Sequence, residues 1–262
     1  MINVIRSFAA AGMLMLALPA AAIVNIEAVR NAELEPGVNG EVGMSLSAIQ
    51  SGSDEVRLDA NGRLDWLRPG SHNFLVARGS YSEVNDVYRR RGMVHLRHVH
   101  ALGSDAISPY DALYNWEVFG QSARDDYASL RERSLVGTGT RLNGVFGEAV
   151  DHALGLGVMS EWRQEVGDAG RVDSHVWRAN IYLTARAEVG ENTTFGSTLY
   201  FQPRLSDWGN FSAIGEFFLD HPLSDQLALR FVASLVHYSE PAPGVDTTRQ
   251  EYGFRVVYRF GG

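Results

Sequence analysis

Val56-Arg57-Leu58-Asp59-Ala60-Asn61-Gly62-Arg63-Leu64-Asp65-Trp66 sorts its residues strictly by twos. Val56, Leu58, Ala60, Gly62, Leu64 and Trp66 share one face, and Arg57, Asp59, Asn61, Arg63 and Asp65 share the other. A period of two belongs to a β-strand. Four charges and an amide in a row cannot face lipid, while the opposite row is nearly free of polar atoms. A strand that is apolar outside and polar inside is the repeating unit of a transmembrane β-barrel. The end of the chain repeats the pattern, with Tyr252, Phe254, Val256, Tyr258 and Phe260 against Glu251, Gly253, Arg255, Val257 and Arg259. A terminal strand rich in aromatics and ending in Phe, behind an export signal, marks a bacterial outer-membrane barrel. Tyr252, Phe254, Tyr258 and Phe260 are therefore the expected assembly signal.

Working back along the chain, segments of about ten residues alternate in the same way and are cut by turn chemistry. Trp177, Ala179, Ile181, Leu183, Ala185 and Ala187 oppose Arg178, Asn180, Thr184, Arg186 and Glu188. Leu227, Leu229, Phe231, Ala233 and Leu235 oppose Arg230 and Ser234. Weaker strands are Val42 to Ala48, Leu75 to Tyr81, Val94 to His100, Tyr114 to Val118, Leu154 to Val158 and Leu199 to Phe201. Ser134 to Leu142 and Phe211 to Leu219 also read as strands, with their faces unassigned. The turns include Pro69-Gly70-Ser71, Gly190-Glu191-Asn192, Ser224-Asp225-Gln226 and Pro241-Ala242-Pro243-Gly244. The expectation is an all-β, antiparallel up-and-down barrel of about 12 strands. With both termini periplasmic, the odd hairpins (Ser82 to Arg89, Gln164 to Asp173, Ser239 to Gln250) point outward and are longer on average, with two exceptions among the even turns, near Gly103 to Asp111 and Asn143 to Asp151.

Residues 1–22 read as a signal peptide, with Arg6 as the only charge, an apolar run from Phe8 to Leu18, and Ala20-Ala21-Ala22 before the cut. Residues 23–40 form a periplasmic leader, and 41–262 form the barrel. No second domain is indicated. All 23 basic residues are arginines, set against 31 acids, for a net charge of −8. Such an acidic chain is a poor partner for nucleic acid. There is no cysteine, which removes thiol chemistry. A soluble sandwich or lipocalin-like barrel also alternates. Against it stand charges of matched sign on the polar faces, missing edge lysines, and aromatics near segment ends (Trp66, Tyr81, Trp116, Trp177, Phe201, Tyr252), where interfacial girdles belong.

Chemistry is sparse. Arg57, Asp59, Arg63 and Asp65 make a ladder roughly 27 Å long on one wall. Arg97, Glu117, Arg178, Arg186, Glu188, Arg230, Arg255 and Arg259 extend it from other strands. These charges either line a selective pore or pair across a small lumen and close it. Histidines 98 and 100 share a face and His95 takes the other, a two-ligand pair that makes a weak metal site. His98, His100, Ser122, Ser160, His152 and His175 are the pieces from which a lipid hydrolase could be built. However, no nucleophile and base occur at a spacing that implies contact. Gly137-Thr138-Gly139 and Gly155-Leu156-Gly157 lack the lysine and crossover helix of a phosphate loop and read as relief of crowding. The acids Glu83, Asp86, Asp125 and Asp126 read as solvated loop residues. No catalytic, metal or cofactor-binding residue is expected, and no cofactor.

Several strings together resemble the domain-of-unknown-function-481 family of salt-induced outer-membrane proteins. They are Ile-Val-Asn-Ile-Glu-Ala-Val-Arg (23–30), Gly62-Arg63-Leu64-Asp65-Trp66, His95-Leu96-Arg97-His98-Val99-His100, Trp116-Glu117-Val118-Phe119-Gly120-Gln121, Tyr200-Phe201-Gln202-Pro203-Arg204-Leu205 and Val257-Tyr258-Arg259-Phe260. The resemblance covers nearly all of the mature chain. It implies an outer-membrane barrel with no established activity and no catalytic residues to carry over. The Gly261-Gly262 tail departs from it by moving the final Phe two residues from the carboxylate. The expectation is a non-enzymatic envelope protein, either a narrow polar channel or a structural barrel used under stress. Its expected partners are outer-membrane lipid, lipopolysaccharide and the barrel-assembly machinery. The alternative is a lipid-modifying enzyme of the barrel phospholipase or deacylase type.

Overall fold

A computed structural model describes residues 36–50, 54–84, 87–103, 108–144, 151–167, 170–190, 192–242 and 245–261. The expected signal peptide and most of the expected leader lie outside these residues. Twelve antiparallel strands close into one barrel, each bonded to its sequence neighbours, with β1 bonded to β12. They are β1 (Gly37–Gln50), β2 (Asp54–Arg68), β3 (Ser71–Val84), β4 (Val87–Ala101), β5 (Tyr114–Asp125), β6 (Leu130–Asn143), β7 (Asp151–Gly167), β8 (Gly170–Val189), β9 (Thr193–Arg204), β10 (Asp207–Pro222), β11 (Leu227–Tyr238) and β12 (Thr248–Gly261). A single 3-10 turn, Asp126–Ala128, joins β5 to β6. Full closure removes the unpaired edges that a lipid-immersed sheet could not tolerate.

The outer wall is apolar where a bilayer would sit. Leu96, Val118, Leu156, Leu183, Phe217, Leu229 and Phe254 all point away from the lumen between the strand ends. Such a continuous exposed apolar belt has to be covered. Aromatics ring it at both ends. Tyr114, Trp116, Tyr258 and Phe260 lie near the end where β12 finishes (the terminal end), and Tyr81, Tyr88, Trp162, Trp177 and Trp208 lie near the other (the distal end). This is the wall of a barrel that crosses a lipid bilayer.

The structure differs from the sequence reading in three places. The first strand begins at Gly37, inside the expected leader, because Gly37 to Gly40 pair with Leu67 to Leu64. Connection length does not separate the two ends. The connections at 85–86, 168–169 and 205–206 are each two residues long at the distal end, while 102–113 and 144–150 lie at the terminal end. Polar stretches expected as loops are strand instead: β7 and β8 pair up to Gly167 and Gly170. The join between β1 and β12 is short, running from Asn39↔Gly261 to Met44↔Val256, whereas β1 and β2 pair from Gly37↔Leu67 to Gln50↔Asp54.

Candidate functional site: the barrel lumen

The lumen is filled from both of the residue types that alternation points inward. At the terminal end, Arg63 donates to Asp65 at 2.7 and 2.6 Å, and His72 Nε2 lies 2.7 Å from Asp65 Oδ1. The other imidazole nitrogen meets the Tyr110 hydroxyl, which folds in from the 102–113 connection. Asn143 holds that connection in place by donating to the carbonyls of Pro109, Tyr110 and Ala112. Beside it Arg230 is enclosed by carboxylates, with Glu41 accepting at 2.8 and 3.1 Å and Asp220 at 2.6 Å. Arg259 reaches the same Asp220 oxygen from the mouth.

At mid-height Arg97 donates to Glu117 at 3.1 Å, and the Tyr182 hydroxyl donates to the same carboxylate at 2.7 Å. The Arg97 guanidinium also stands 4.9 Å from the Phe119 ring and 5.5 Å from that of Tyr182. Apolar groups pack around these ions: Phe74, Val76, Met93 and Val99 on one side, Phe119, Leu135 and Met159 on another, Tyr182, Tyr200, Ile214 and Val236 on a third. The side chains of Arg97 and Glu117 are only 1% and 2% exposed, so water does not reach this pair. Burying ions is costly unless they are closely paired, and here the aromatic faces beside Arg97 and the Tyr182 hydroxyl on Glu117 add to the pairing, although the Arg97 Nε has no hydrogen-bond acceptor among the described residues.

Glycines make room for the rings. A Cβ on Gly155 would stand 1.9 Å from the Tyr182 ring, and one on Gly137 would stand 2.4 Å from that of Phe119. Gly137 and Gly155 are thus the complement of lumen aromatics, while Gly139 and Gly157 let the backbones of β6 and β7 approach each other.

In the distal half the two sides of the lumen part company. On the β6–β8 side Glu161 is bonded by Arg133 at 2.6 Å and Arg178 at 3.0 Å, with little exposure. On the side of β2 to β4 and β12, Glu251 accepts from Arg57 at 2.9 Å and Arg91 at 2.8 Å, and Asp125 accepts from Arg249 at 3.0 Å. Here the Asp59 and Glu251 side chains are 29% and 22% exposed, so water enters from the distal mouth. Tyr127, on the 3-10 turn, folds over this opening. Its hydroxyl meets Ser82, and the guanidinium carbons of Arg89 and Arg91 lie 5.1 Å from its ring.

Of the expected lumen charges, Arg57, Asp59, Arg63, Asp65, Arg97, Glu117, Arg178, Arg230 and Arg255 point inward from the wall. Arg186 and Arg259 stand near the terminal mouth. Glu188 lies at the terminal rim with its side chain 56% exposed, 3.8 Å from Arg186, where β8 still pairs with β9 but has run past the last residue of β7. The sequence reading missed Glu41, Arg133, Glu161, Glu216 and Asp220, which complete the pairs, and the two connection tyrosines, Tyr110 and Tyr127. The alternation of β1 could have supplied Glu41. Nothing local marks the tyrosines.

Outside the lumen, His98 and His100 share the outer face, their rings stacked at 6.2 Å, while His95 points inward. Among the described residues no three metal-ligating side chains cluster. Contrary to the spacing argument, one serine and one histidine of the outer wall do meet: Ser160 Oγ is 2.7 Å from His175 Nε2, and Trp162 stacks on the imidazole at 4.7 Å. The pair crosses from β7 to β8, which is why spacing along one strand did not reveal it. No described carboxylate or amide bonds the second imidazole nitrogen, and Ser160 is 3% exposed. The contact satisfies a hydroxyl set in an apolar wall; it lacks the third member and the access that a nucleophile needs.

The fold and its contents define a transmembrane-type, twelve-stranded barrel with a packed interior. The chain belongs to the family described as protein of unknown function, DUF481, whose sequence pattern matches residues 42–260. No curated protein matches it. Among solved structures it is similar to the NanC porin, with 12% identity over 85% of this chain and 99% of that one and a TM-score of 0.48. It is also similar to the translocator domain of the autotransporter NalP from Neisseria meningitidis (12% identity, 88% of this chain and 90% of that one, TM-score 0.43). A third likeness is to the KdgM porin in complex with disordered oligogalacturonate (10% identity, 86% and 99%, TM-score 0.41).

Proposed function

We propose that this is a non-enzymatic structural barrel of the Gram-negative outer membrane, with its lumen sealed at mid-height. The Arg97–Glu117–Tyr182 bridge, wedged between Phe119 and its neighbours, carries this reading, because a diffusion pore needs a continuous water path. The termini would face the periplasm and the distal mouth the outside. Tyr252, Phe254, Tyr258 and Phe260, all displayed on the outer wall, would guide insertion by the assembly machinery, and lipid with lipopolysaccharide would cover the apolar belt.

Planar bilayers holding the full-length protein should stay silent, whereas Arg97→Ala combined with Phe119→Ala should give conductance steps. Sustained conductance by the unaltered protein would overturn the sealed reading in favour of a narrow channel. Phospholipid and lipid A mass spectra should be identical with and without the protein; a change abolished by Ser160→Ala would mean a lipid-modifying enzyme instead.

A further inference from the structure

Within the distal half, above the sealed level, lies a cavity of about 70 Å³. Roughly 10–15 Å³ admits one water, so this space holds a small molecule of several heavy atoms. Its lining mixes charge with apolar surface: Arg78 of β3, Gln121 of β5 and Arg255 of β12 stand among Met93 of β4, Ala123 of β5 and Leu130 of β6. The carboxylates Asp59, Asp125 and Glu251 line it too, and each already has an arginine beside it: Arg57 for Asp59, Arg249 for Asp125, and Arg57 with Arg91 for Glu251.

Arg255 is the unusual member. Arg78 is held by Glu216 at 3.3 Å, Arg91 by Glu251 at 2.8 Å and Arg133 by Glu161 at 2.5 Å. Among the described residues, no carboxylate bonds Arg255. The charges that face it are Arg78, Glu216, Asp59 and Arg230. Its two opposite charges are already engaged, Glu216 by Arg78 and Asp59 by Ser45 and Arg57. Gly253, next on the same face of β12, leaves open space, with nothing within 4 Å of where a Cβ would stand. A half-buried guanidinium to which no carboxylate is bonded is poorly compensated, and a carboxylate that it can fork supplies the missing partner.

We propose that the distal vestibule binds a small organic acid. The carboxylate bonds Arg255, with Arg78 and Gln121 beside it, and a short apolar body rests on Met93, Ala123 and Leu130. Entry is from the distal mouth, past Tyr127, where Asp59 and Glu251 are already wetted. The volume restricts the ligand to short chains, and the sealed level below makes the site a dead end.

The test is calorimetric titration of the full-length protein, folded in detergent micelles, with sodium butyrate. Butyramide and sodium chloride serve as controls. Expected is saturable binding of one butyrate, at least about tenfold weaker for butyramide, lost in Arg255→Gln and weakened in Arg255→Lys. Retention of the heat-modifiable gel band shows that each variant is folded. Absence of saturable heat, equal binding of butyramide, chloride displacing butyrate at equal concentration, or unchanged binding in folded Arg255→Gln overturns the proposal. The outcome is separable from the sealed-lumen reading, since a barrel that conducts and still binds butyrate through Arg255 sinks only the latter.

Discussion

Arg230 and Arg255 are register partners across β11 and β12, both pointing inward, yet their surroundings are opposites. Arg230 has Glu41 and Asp220 on its nitrogens and the Phe218 ring 5.6 Å from its guanidinium carbon. Arg255 has no carboxylate to itself. The neighbouring strands decide the difference. Near Arg230, β1 and β10 present acids; near Arg255, Gly43 of β1 and Gly253 of β12 present no side chain at all. An inward arginine therefore serves as mortar or as a socket according to one or two flanking positions.

The most forceful way to break this contrast is Asp220→Ala. It strips an acceptor from Arg230 and the partner from Arg259 and should cost about 3–5 kcal/mol, read as a lower urea midpoint for the folded barrel in micelles. A loss below about 1 kcal/mol, the scale of an exposed pair, would mean that the cluster ties nothing together. Next come two lumen glycines. Gly155→Ala drives a methyl into the Tyr182 ring and should cost about 1–3 kcal/mol. Gly253→Ala adds one in open space, so its midpoint should hardly move; equal losses would erase the distinction between packed and open sides. Arg255→Gln should reverse the sign and stabilise slightly, because a half-buried charge with no carboxylate of its own is removed. Smallest among the charge substitutions is Glu251→Ala, which frees Arg57 and Arg91 where water already reaches. A cost of about 0.5 kcal/mol is expected, allowing for screening.

Much of the architecture was legible because the outward faces of β2, β8 and β11 stay apolar along the recognised segments while their inward faces carry most of the charge. Legibility failed where the lumen itself is apolar. On β10, Ile214 and Phe218 face inward opposite Phe217 and Leu219, so both faces read the same. On β7, Gly155, Gly157 and Met159 occupy lumen positions, and the inward Glu161 lay beyond the recognised segment. The far ends of β7 and β8 stand clear of lipid, and polar strand there has the composition of loop. Pairs such as Glu41 with Arg230 join residues 189 positions apart, which no local pattern announces. Arg255 was placed on the correct face by alternation, but its solitude depends on Gly43 and Gly253, whose significance appears only once the wall is curved.

The brief seam between β1 and β12 bears on how the molecule is made. Every other junction is a local hairpin that zips as its two arms emerge, whereas this one must unite segments more than two hundred residues apart, the costliest loop to close. It should therefore be the final stitch in assembly and the first to part under force. Pulling on the two termini should unravel the cylinder from that line, peeling whole hairpins while the remainder stays intact.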